Sequence, residues 1–454
     1  MEITNQNRFD NNVNYTLFPY VAQNTLKPMH IKRAEGIFFY DVDDKQYIDL
    51  SSQYMNVNIG HGHSAVMDAV VEQMKSFSYM NPGFATNVRG ELGLELSKLL
   101  PGNLTKTFFT LGGSDAIDSA VQIARSYTGR SKIVTMARSY HGGTYSTLSM
   151  SGDPRRLLLG NHNMADVVRA DNPYFYRCPW GSGSIEECGI NCAENLEKII
   201  IGEGAETVAA IILEGESGTS GCIKYPPDFW RLVRQVCDKY GILLIDDEVM
   251  SGFGRTGKMF AVEHHNVMPD MMCMAKGLTS GYMPLGAVAV SKVISDYFDS
   301  KPLPCGLTYS AHPVSCAAAL AVLNIYKEER LVENASEMGA YIFEKLQKLS
   351  NEHISIGDFR LTGLLGCIEL VKDRDTKEPI TSPIGGTHNM EVMDKIDVIF
   401  KEQGLFTLIR WNIIFIAPPL CITKEQIDIA FKILSKGLCI ADKYYKQSYS
   451  AIES

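Results

Sequence analysis

Three consecutive carboxylates, Asp246-Asp247-Glu248, and a lysine about thirty residues later, Lys276, are the side chains best placed for chemistry. The acids follow Ile242-Leu243-Leu244-Ile245, a short run of buried-type residues that suits a central strand of a parallel sheet. The carboxyl ends of such strands are where α/β proteins seat their ligands. Lys276 lies in Met272-Cys273-Met274-Ala275-Lys276-Gly277, with apolar neighbours before it and a glycine after it. An amine in such surroundings can shed its proton and act as a nucleophile. An acid of this kind can keep a ring nitrogen protonated while the lysine forms a Schiff base with an aldehyde, which is what a pyridoxal phosphate cofactor needs. The same residues fit other roles. Strand-end acids also ligate metals or cap helices, and a lysine beside apolar residues often carries its charge out to solvent.

Four more places carry candidate chemistry. Thr110-Leu111-Gly112-Gly113-Ser114-Asp115-Ala116 links a strand-like run to a helix-like one through two glycines. Glycines let backbone approach a ligand, and a helix N-terminus presents free N–H groups to a phosphate. A plain N-cap by Ser114 or Asp115 is the competing explanation. In Ser139-Tyr140-His141-Gly142-Gly143 an aromatic ring could stack on a planar ligand, or simply pack in the core. Glu214 closes the run Ala209-Ala210-Ile211-Ile212-Leu213 and can line a crevice, cap, or face solvent. Arg410 follows Leu405-Phe406-Thr407-Leu408-Ile409; its fork of donors could clamp an anion, although lone arginines mostly lie on surfaces.

These residues need a scaffold, and the patterning supplies one. Gly36 to Asp49 reads as a hairpin around an acidic turn. Helices are expected over Ser64 to Met80, Glu91 to Leu100, Ser114 to Tyr127, Pro227 to Tyr240 and onward from Pro313. Strands are expected over Lys106 to Thr110, Lys132 to Met136, Thr207 to Leu213, Ile242 to Ile245 and Leu285 to Val290. This alternation argues for a mostly parallel sheet with helices on both faces. After about Arg330 short strands, among them Leu364 to Leu370, alternate with helices. That change marks a smaller α+β unit, joined by the N-terminal hairpin. Residues up to about Val13 are polar, contain the turn cluster Asp10-Asn11-Asn12, and are expected to be mobile.

The chain has 454 residues, 45% hydrophobic and 21% charged, the balance of a globular enzyme large enough for two units. A net charge of −9 with no basic stripe argues against a nucleic-acid partner. No apolar run is long enough for a membrane span, and Met1 to Gln6 has no charged-then-apolar signal pattern, so a cytoplasmic enzyme is expected. Eleven cysteines are scattered. Cys178, Cys188 and Cys192 cluster, but their spacing matches no common zinc site, and a loop with free thiols and no bound metal is expected.

Taken together, these motifs resemble the class III aminotransferases, fold-type I enzymes dependent on pyridoxal phosphate. The resemblance runs through Gly113-Ser114-Asp115-Ala116, Tyr140-His141-Gly142, Leu244 to Val249, Gly252-Phe253-Gly254-Arg255-Thr256-Gly257, Ala275-Lys276-Gly277-Leu278, Thr308 to Pro313 and Ile416 to Leu420. It implies a large cofactor-binding domain at 61–329, with a mostly parallel mixed sheet sandwiched by helices. The segments 1–60 and 330–454 would make the smaller α+β domain. Lys276 would form the Schiff base, and Asp247, not Asp246, would pair with the ring nitrogen. Val249 and Tyr140 would pack on the two ring faces. Gly113 and Ser114 would hold the phosphate, and His141 and Glu214 would complete the cofactor site. Thr308 would reach the phosphate of a neighbouring subunit, implying a homodimer or a dimer of dimers.

Two departures from the family pattern bear on substrate. Glu214-Gly215-Glu216-Ser217 replaces a Glu-Pro loop, and Gly143 stands where enzymes for 4-aminobutyrate and ornithine tend to carry arginine. Within the family the chain is most similar to ω-amino acid aminotransferases of the taurine and β-alanine type. There Phe18, Tyr54 and Arg410 would form the substrate pocket, with Arg410 on the distal acid. The expected reaction moves an amino group from taurine, β-alanine or a similar donor to pyruvate or 2-oxoglutarate. Other class III chemistry remains open: 4-aminobutyrate or diamine amino transfer, aminomutation, racemisation or decarboxylation. A nicotinamide dehydrogenase is disfavoured, because the chain lacks a Gly-x-Gly-x-x-Gly turn that leads from a strand directly into a helix.

Overall fold

The computed structural model describes residues 5–160, 164–381 and 389–446; the first four residues of the expected signal-free terminus lie outside them. Its centre is a seven-stranded sheet. In spatial order the strands are Leu104–Thr110, Gly286–Ser291, Met271–Met274, Leu243–Asp247, Val208–Glu214, Lys132–Met136 and Val167–Ala170. Gly286–Ser291 runs antiparallel to both neighbours, and every other pairing is parallel. The middle strands are buried on both faces, which explains their unbroken apolar runs. One face is covered by the helix Gly113–Thr128; the core on the other includes helices Ile185–Gly202 and Phe229–Tyr240.

Two strands of this sheet have little signature in the sequence. Val167–Ala170 carries Arg169 in mid-strand, and Met271–Met274 is built from methionine and cysteine, which have no marked strand preference. The second matters most. It runs beside Leu243–Asp247 in parallel, with Asp247 opposite Cys273, and so delivers Lys276 to the same sheet end as Asp247. The strand expected to stop at Ile245 continues to Asp247.

The two chain ends meet. Ile31–Glu35, Phe38–Asp41 and Gln46–Asp49 form an antiparallel set, the expected hairpin included, and Leu405–Phe406 joins its edge in parallel. A further sheet pairs Ile356–Thr362, Leu365–Asp373, Ile413–Ile416 and Ile409–Arg410. The apolar run before Arg410 is therefore divided between two sheets. Arg255 joins these parts from within. Its buried guanidinium donates to the carbonyls of Leu364, at 3.2 Å, and Pro418, to Ser52 Oγ at 3.1 Å and to Asn58 Oδ1 at 2.7 Å. Burial lowers its pKa to about 10.

Three expectations need correction. The N-terminal segment, expected to be mobile, forms a helix over Asn5–Tyr15; Phe9 and Val13 stand one turn apart, and the Phe9 ring lies 5.5 Å from that of His30. The helix from Ser64 stops at Ser76 rather than Met80. Beyond it Asn81-Pro82-Gly83 makes a turn in which Gly83 N donates to Asn81 Oδ1 at 2.8 Å, so the apolar residues there sit on a loop. The cysteine segment, expected to be a loop, is largely helical: Cys188 and Cys192, one turn apart, are buried on the helix Ile185–Gly202, Cys178 lies before it, and all eleven cysteines are free thiols. Among the described residues no cluster of three or more potential metal ligands occurs, and no helix is long and apolar enough to cross a membrane.

Candidate active site

The carboxyl ends of three adjacent strands define the site: Glu214, Asp247 and, just past its strand, Lys276. They line a cavity of about 160 Å³ with Gly113, Ser114, Tyr140, His141, Gly142, Thr219, Val249, Met250 and Ala275. Eight residues singled out in the sequence thus converge on one space. A larger cleft, about 760 Å³, lies between residues 174–185 and the strand Ile356–Thr362, away from this chemistry. Its Arg177 and Arg360 are engaged by Glu369, and Arg360 also by Asp358.

The three acids separate by alternation along the strand. Asp247 reaches the cavity, where its Oδ2 lies 2.8 Å from His141 Nδ1 and its Oδ1 accepts from Val249 N at 3.1 Å. Asp246 points the other way, buried with neither carboxyl oxygen hydrogen-bonded; burial and then Glu248 push its pKa well above the usual range. Glu248 accepts from Ser251 Oγ and from Val262 N, the latter at 2.8 Å, and burial raises it to about 7. Asp247 is therefore the acid available to a ligand. A neutral ring nitrogen would gain a proton beside it, because an adjacent carboxylate favours the charged form.

Lys276 sits just beyond a strand with a left-handed backbone, φ +41°, a strained conformation of the kind that clusters at functional sites. Burial lowers its pKa to about 8, although Asp247 and Glu214 pull the other way. Glu214 itself is driven well above the ordinary range by burial and then by Asp247. The amine consequently becomes neutral and nucleophilic above about pH 8 rather than near the ordinary lysine value of 10.5.

The anion end is built by the helix Gly113–Thr128. Its N-cap is Gly112, and no side chain caps it, so the first amides are not claimed by Ser114 or Asp115. Ser114 Oγ instead accepts from Gly143 N at 3.0 Å, which leaves its hydroxyl proton free to donate. The walls are close. A Cβ on Gly113 would meet Val249 at 2.7 Å, and one on Gly142, at φ +141°, would meet Ser114 Oγ at 2.3 Å. A planar ring with a phosphate tail fits this layout. In such a fit the helix amides and Ser114 would hold the phosphate, Val249 and Tyr140 would border the ring, and Asp247 with His141 would meet the ring nitrogen.

Four sequence candidates lie off this cavity in the single chain. Thr308 is exposed on a loop, where its carbonyl accepts from Tyr79 OH at 2.8 Å. Tyr54 is 71% exposed. Phe18 lies half-buried in the segment after the first helix, its N–H donating to Gln23 Oε1 at 3.0 Å. Arg410 stands at the rim, bound to Asp153 with its Nη2 2.7 Å from Oδ2. Three residues not foreseen gather there. Asp153 also binds Arg155, whose Cζ lies 3.7 Å from the Tyr140 ring centroid, and Tyr20 OH lies 3.5 Å from Tyr140 OH. Asp153-Pro154 is a helix-start signal in the sequence, but its pairing with a residue 257 positions away leaves no local trace.

Comparison with known proteins agrees with this geometry. Residues 20–438 match the family described as aminotransferase class-III. A taurine:2-oxoglutarate aminotransferase from Bifidobacterium kashiwanohense, solved with pyridoxal phosphate and glutamate, superposes with a TM-score of 0.93. It is 38% identical, covering 98% of this chain and 99% of its own. The chloroplastic gamma aminobutyrate transaminase 3 of Solanum lycopersicum is 34% identical over 91% of this chain and 81% of its own length. A leucine/methionine racemase of Thermococcus litoralis is 34% identical over 93% of both. The chain belongs to the class III aminotransferases. It is a fold-type I transaminase that uses pyridoxal phosphate on small-molecule amino donors and 2-oxo acids.

Proposed function

We propose that this protein moves the amino group of an ω-amino acid, taurine first and β-alanine or a similar donor next, to pyruvate or 2-oxoglutarate. The products would be an aldehyde, sulfoacetaldehyde for taurine, and an amino acid. The observation that carries this reading is the arginine at the rim: Arg410 is held by Asp153 beside Arg155 and Tyr140, suited to a substrate with an acid group at its far end. Gly143 supports it from the other side. A Cβ there would meet Tyr20 OH at 2.8 Å, so the place of an arginine at this position is filled by Tyr20. The likeness to the taurine enzyme of Bifidobacterium kashiwanohense points the same way.

When bound, pyridoxal phosphate supplies an aldehyde and an electron-withdrawing ring. In this reading the remaining work falls to the chain's own residues. Lys276 would hold the cofactor through its aldehyde and, when free, would serve as the base and acid that moves the proton at the substrate carbon. Asp247 keeps the ring nitrogen protonated, and His141 orients Asp247 through the 2.8 Å contact. Gly113 and Ser114 hold the phosphate, Tyr140 and Val249 confine the ring, and Glu214 closes the floor. We further propose that 61–329 is the cofactor-binding domain, completed by a smaller one from 1–60 and 330–454. The active unit is a cytoplasmic homodimer in which Thr308 serves the neighbouring site, with Phe18 and Tyr54 lining the substrate pocket.

A grid of amino donors against 2-oxo acids tests the reading. Taurine or β-alanine is expected to give an aldehyde only when a 2-oxo acid is present. Turnover of 4-aminobutyrate or a diamine alone, or racemisation, rearrangement or decarboxylation without a 2-oxo acid, contradicts it.

A further inference from the structure

The rim of the site holds an uneven count of charges. Asp153 is buried, and its carboxylate takes two guanidinium groups at once. Arg155 Nε lies 2.9 Å from Oδ1 and its Nη2 3.2 Å from Oδ2. Arg410 Nη2 lies 2.9 Å from Oδ1 and 2.7 Å from Oδ2. The Arg155 backbone N–H adds a fifth contact at 2.9 Å. The carboxylate is thus saturated. Arg155 lies against the ring of the cavity residue Tyr140, with Tyr20 at 5.1 Å, and its charge helps hold Lys276 below its ordinary pKa; Arg410 is joined to it through the shared Asp153. Arg410 is flanked by Trp411, its Cζ 4.3 Å from the ring. Among the cavity acids, Asp247 is engaged by His141, and burial pushes the pKa of Glu214 well above the ordinary range.

We propose that Asp153 is a resident anion that positions Arg155 and Arg410 and cancels one of their two charges, leaving a single positive charge that selects a donor with one distal anionic group. The inference rests on the ω-amino acid reading and names the residue that sets its selectivity. With both arginines and Asp153 in place, one carboxylate or sulfonate brings the rim to neutrality. Without Asp153 the rim takes anions too readily; without Arg155, Asp153 neutralises Arg410 one to one and the entering acid has no counter-charge. A role confined to holding the arginines in place predicts that both losses weaken acid recognition. The charge count predicts opposite signs.

The test uses holoenzyme, with β-alanine and propylamine as donors and inorganic sulfate as inhibitor. In Asp153→Asn the sulfate inhibition constant is expected to fall at least tenfold, and the kcat/KM ratio of β-alanine to propylamine to rise. In Arg155→Gln that ratio is expected to fall at least tenfold, chiefly through KM, and the sulfate constant to rise. Asp153→Glu is expected to restore the wild-type pattern. If Asp153→Asn cannot keep its cofactor, as judged by visible absorption, Arg155→Gln alone still decides through its ratio and sulfate constant. Both variants lowering the ratio together, or an Arg155→Gln ratio equal to wild type, overturns the proposal while leaving the donor reading intact. A wild-type enzyme that does not prefer β-alanine to propylamine overturns the donor reading, and this proposal with it.

Discussion

At the scale of single residues, the site turns on how burial treats each ionisable group. Asp246, Asp247 and Glu248 are chemically alike and adjacent, yet the strand sends only Asp247 to the cavity and leaves its neighbours in surroundings that favour protonation. Lys276→Ala is expected to abolish turnover and the visible absorption of the lysine-bound cofactor, measured by spectroscopy on protein reconstituted with pyridoxal phosphate; full activity in that variant would refute the assignment. The lowered pKa of Lys276 gives a second prediction. The amine is protonated below about pH 8 and neutral above it, so capture of cofactor by the cofactor-free protein should speed up as pH rises through about 8, seen by stopped-flow absorbance. A profile rising only near the ordinary lysine value of 10.5 contradicts it. The Asp247 and Lys276 positions were legible because each follows or ends an apolar run. Asp153, Arg155 and Tyr20 were not, because their significance lies in a contact to Arg410 or Tyr140 that no short window of sequence contains.

Between residues and the whole lie the turns that bring strand ends to helix starts. Gly142 sits at φ +141°, and a side chain there would strike Ser114 Oγ and, at 2.6 Å, Thr147 Oγ1. Thr147 also closes a capping box with Thr144 at the next helix, Tyr145–Met150, so the turn is fixed on both sides. Gly142→Ala combines a poor backbone conformation with a collision, a strain of about 1–3 kcal/mol. Cofactor retention should therefore weaken about tenfold or more, measured by equilibrium dialysis, while the fold persists by circular dichroism. Of the elements themselves, the layered sheet was legible in the alternation of strand-like and helix-like runs. Two strands were not legible in it: Val167–Ala170 is four residues long with Arg169 breaking its apolar run, and Met271–Met274 is built from residues with no marked strand preference. The apolar pattern overran the helix from Ser64, since Tyr79, Met80 and Phe84 are apolar but serve an exposed surface rather than a helix face.

That surface belongs to the scale of the whole molecule. Met67, Val71 and Met74 on the helix Ser64–Ser76, with Tyr79, Met80 and Phe84 after it, are all exposed, and the Tyr79 ring lies 5.9 Å from that of the exposed Tyr309. Exposed apolar side chains of this number would serve the proposed dimer as a contact surface, and Thr308 meets them through its carbonyl, which accepts from Tyr79 OH. If the active unit is the proposed dimer, Met74→Asp with Phe84→Asp should halve the mass seen by light scattering and speed the loss of cofactor. A monomer that keeps its cofactor as tightly as wild type contradicts a shared site. The chain's topology has a consequence of another kind. Leu405 and Phe406 complete a sheet begun at Ile31, and the guanidinium of Arg255 waits for the carbonyl of Pro418. During synthesis the early hairpin therefore leaves the ribosome with a bare edge and must stay so until nearly all of the polypeptide has emerged. Translation pauses late in the message, or truncation shortly before residue 405, should leave this protein a client of chaperones that shield unpaired strands.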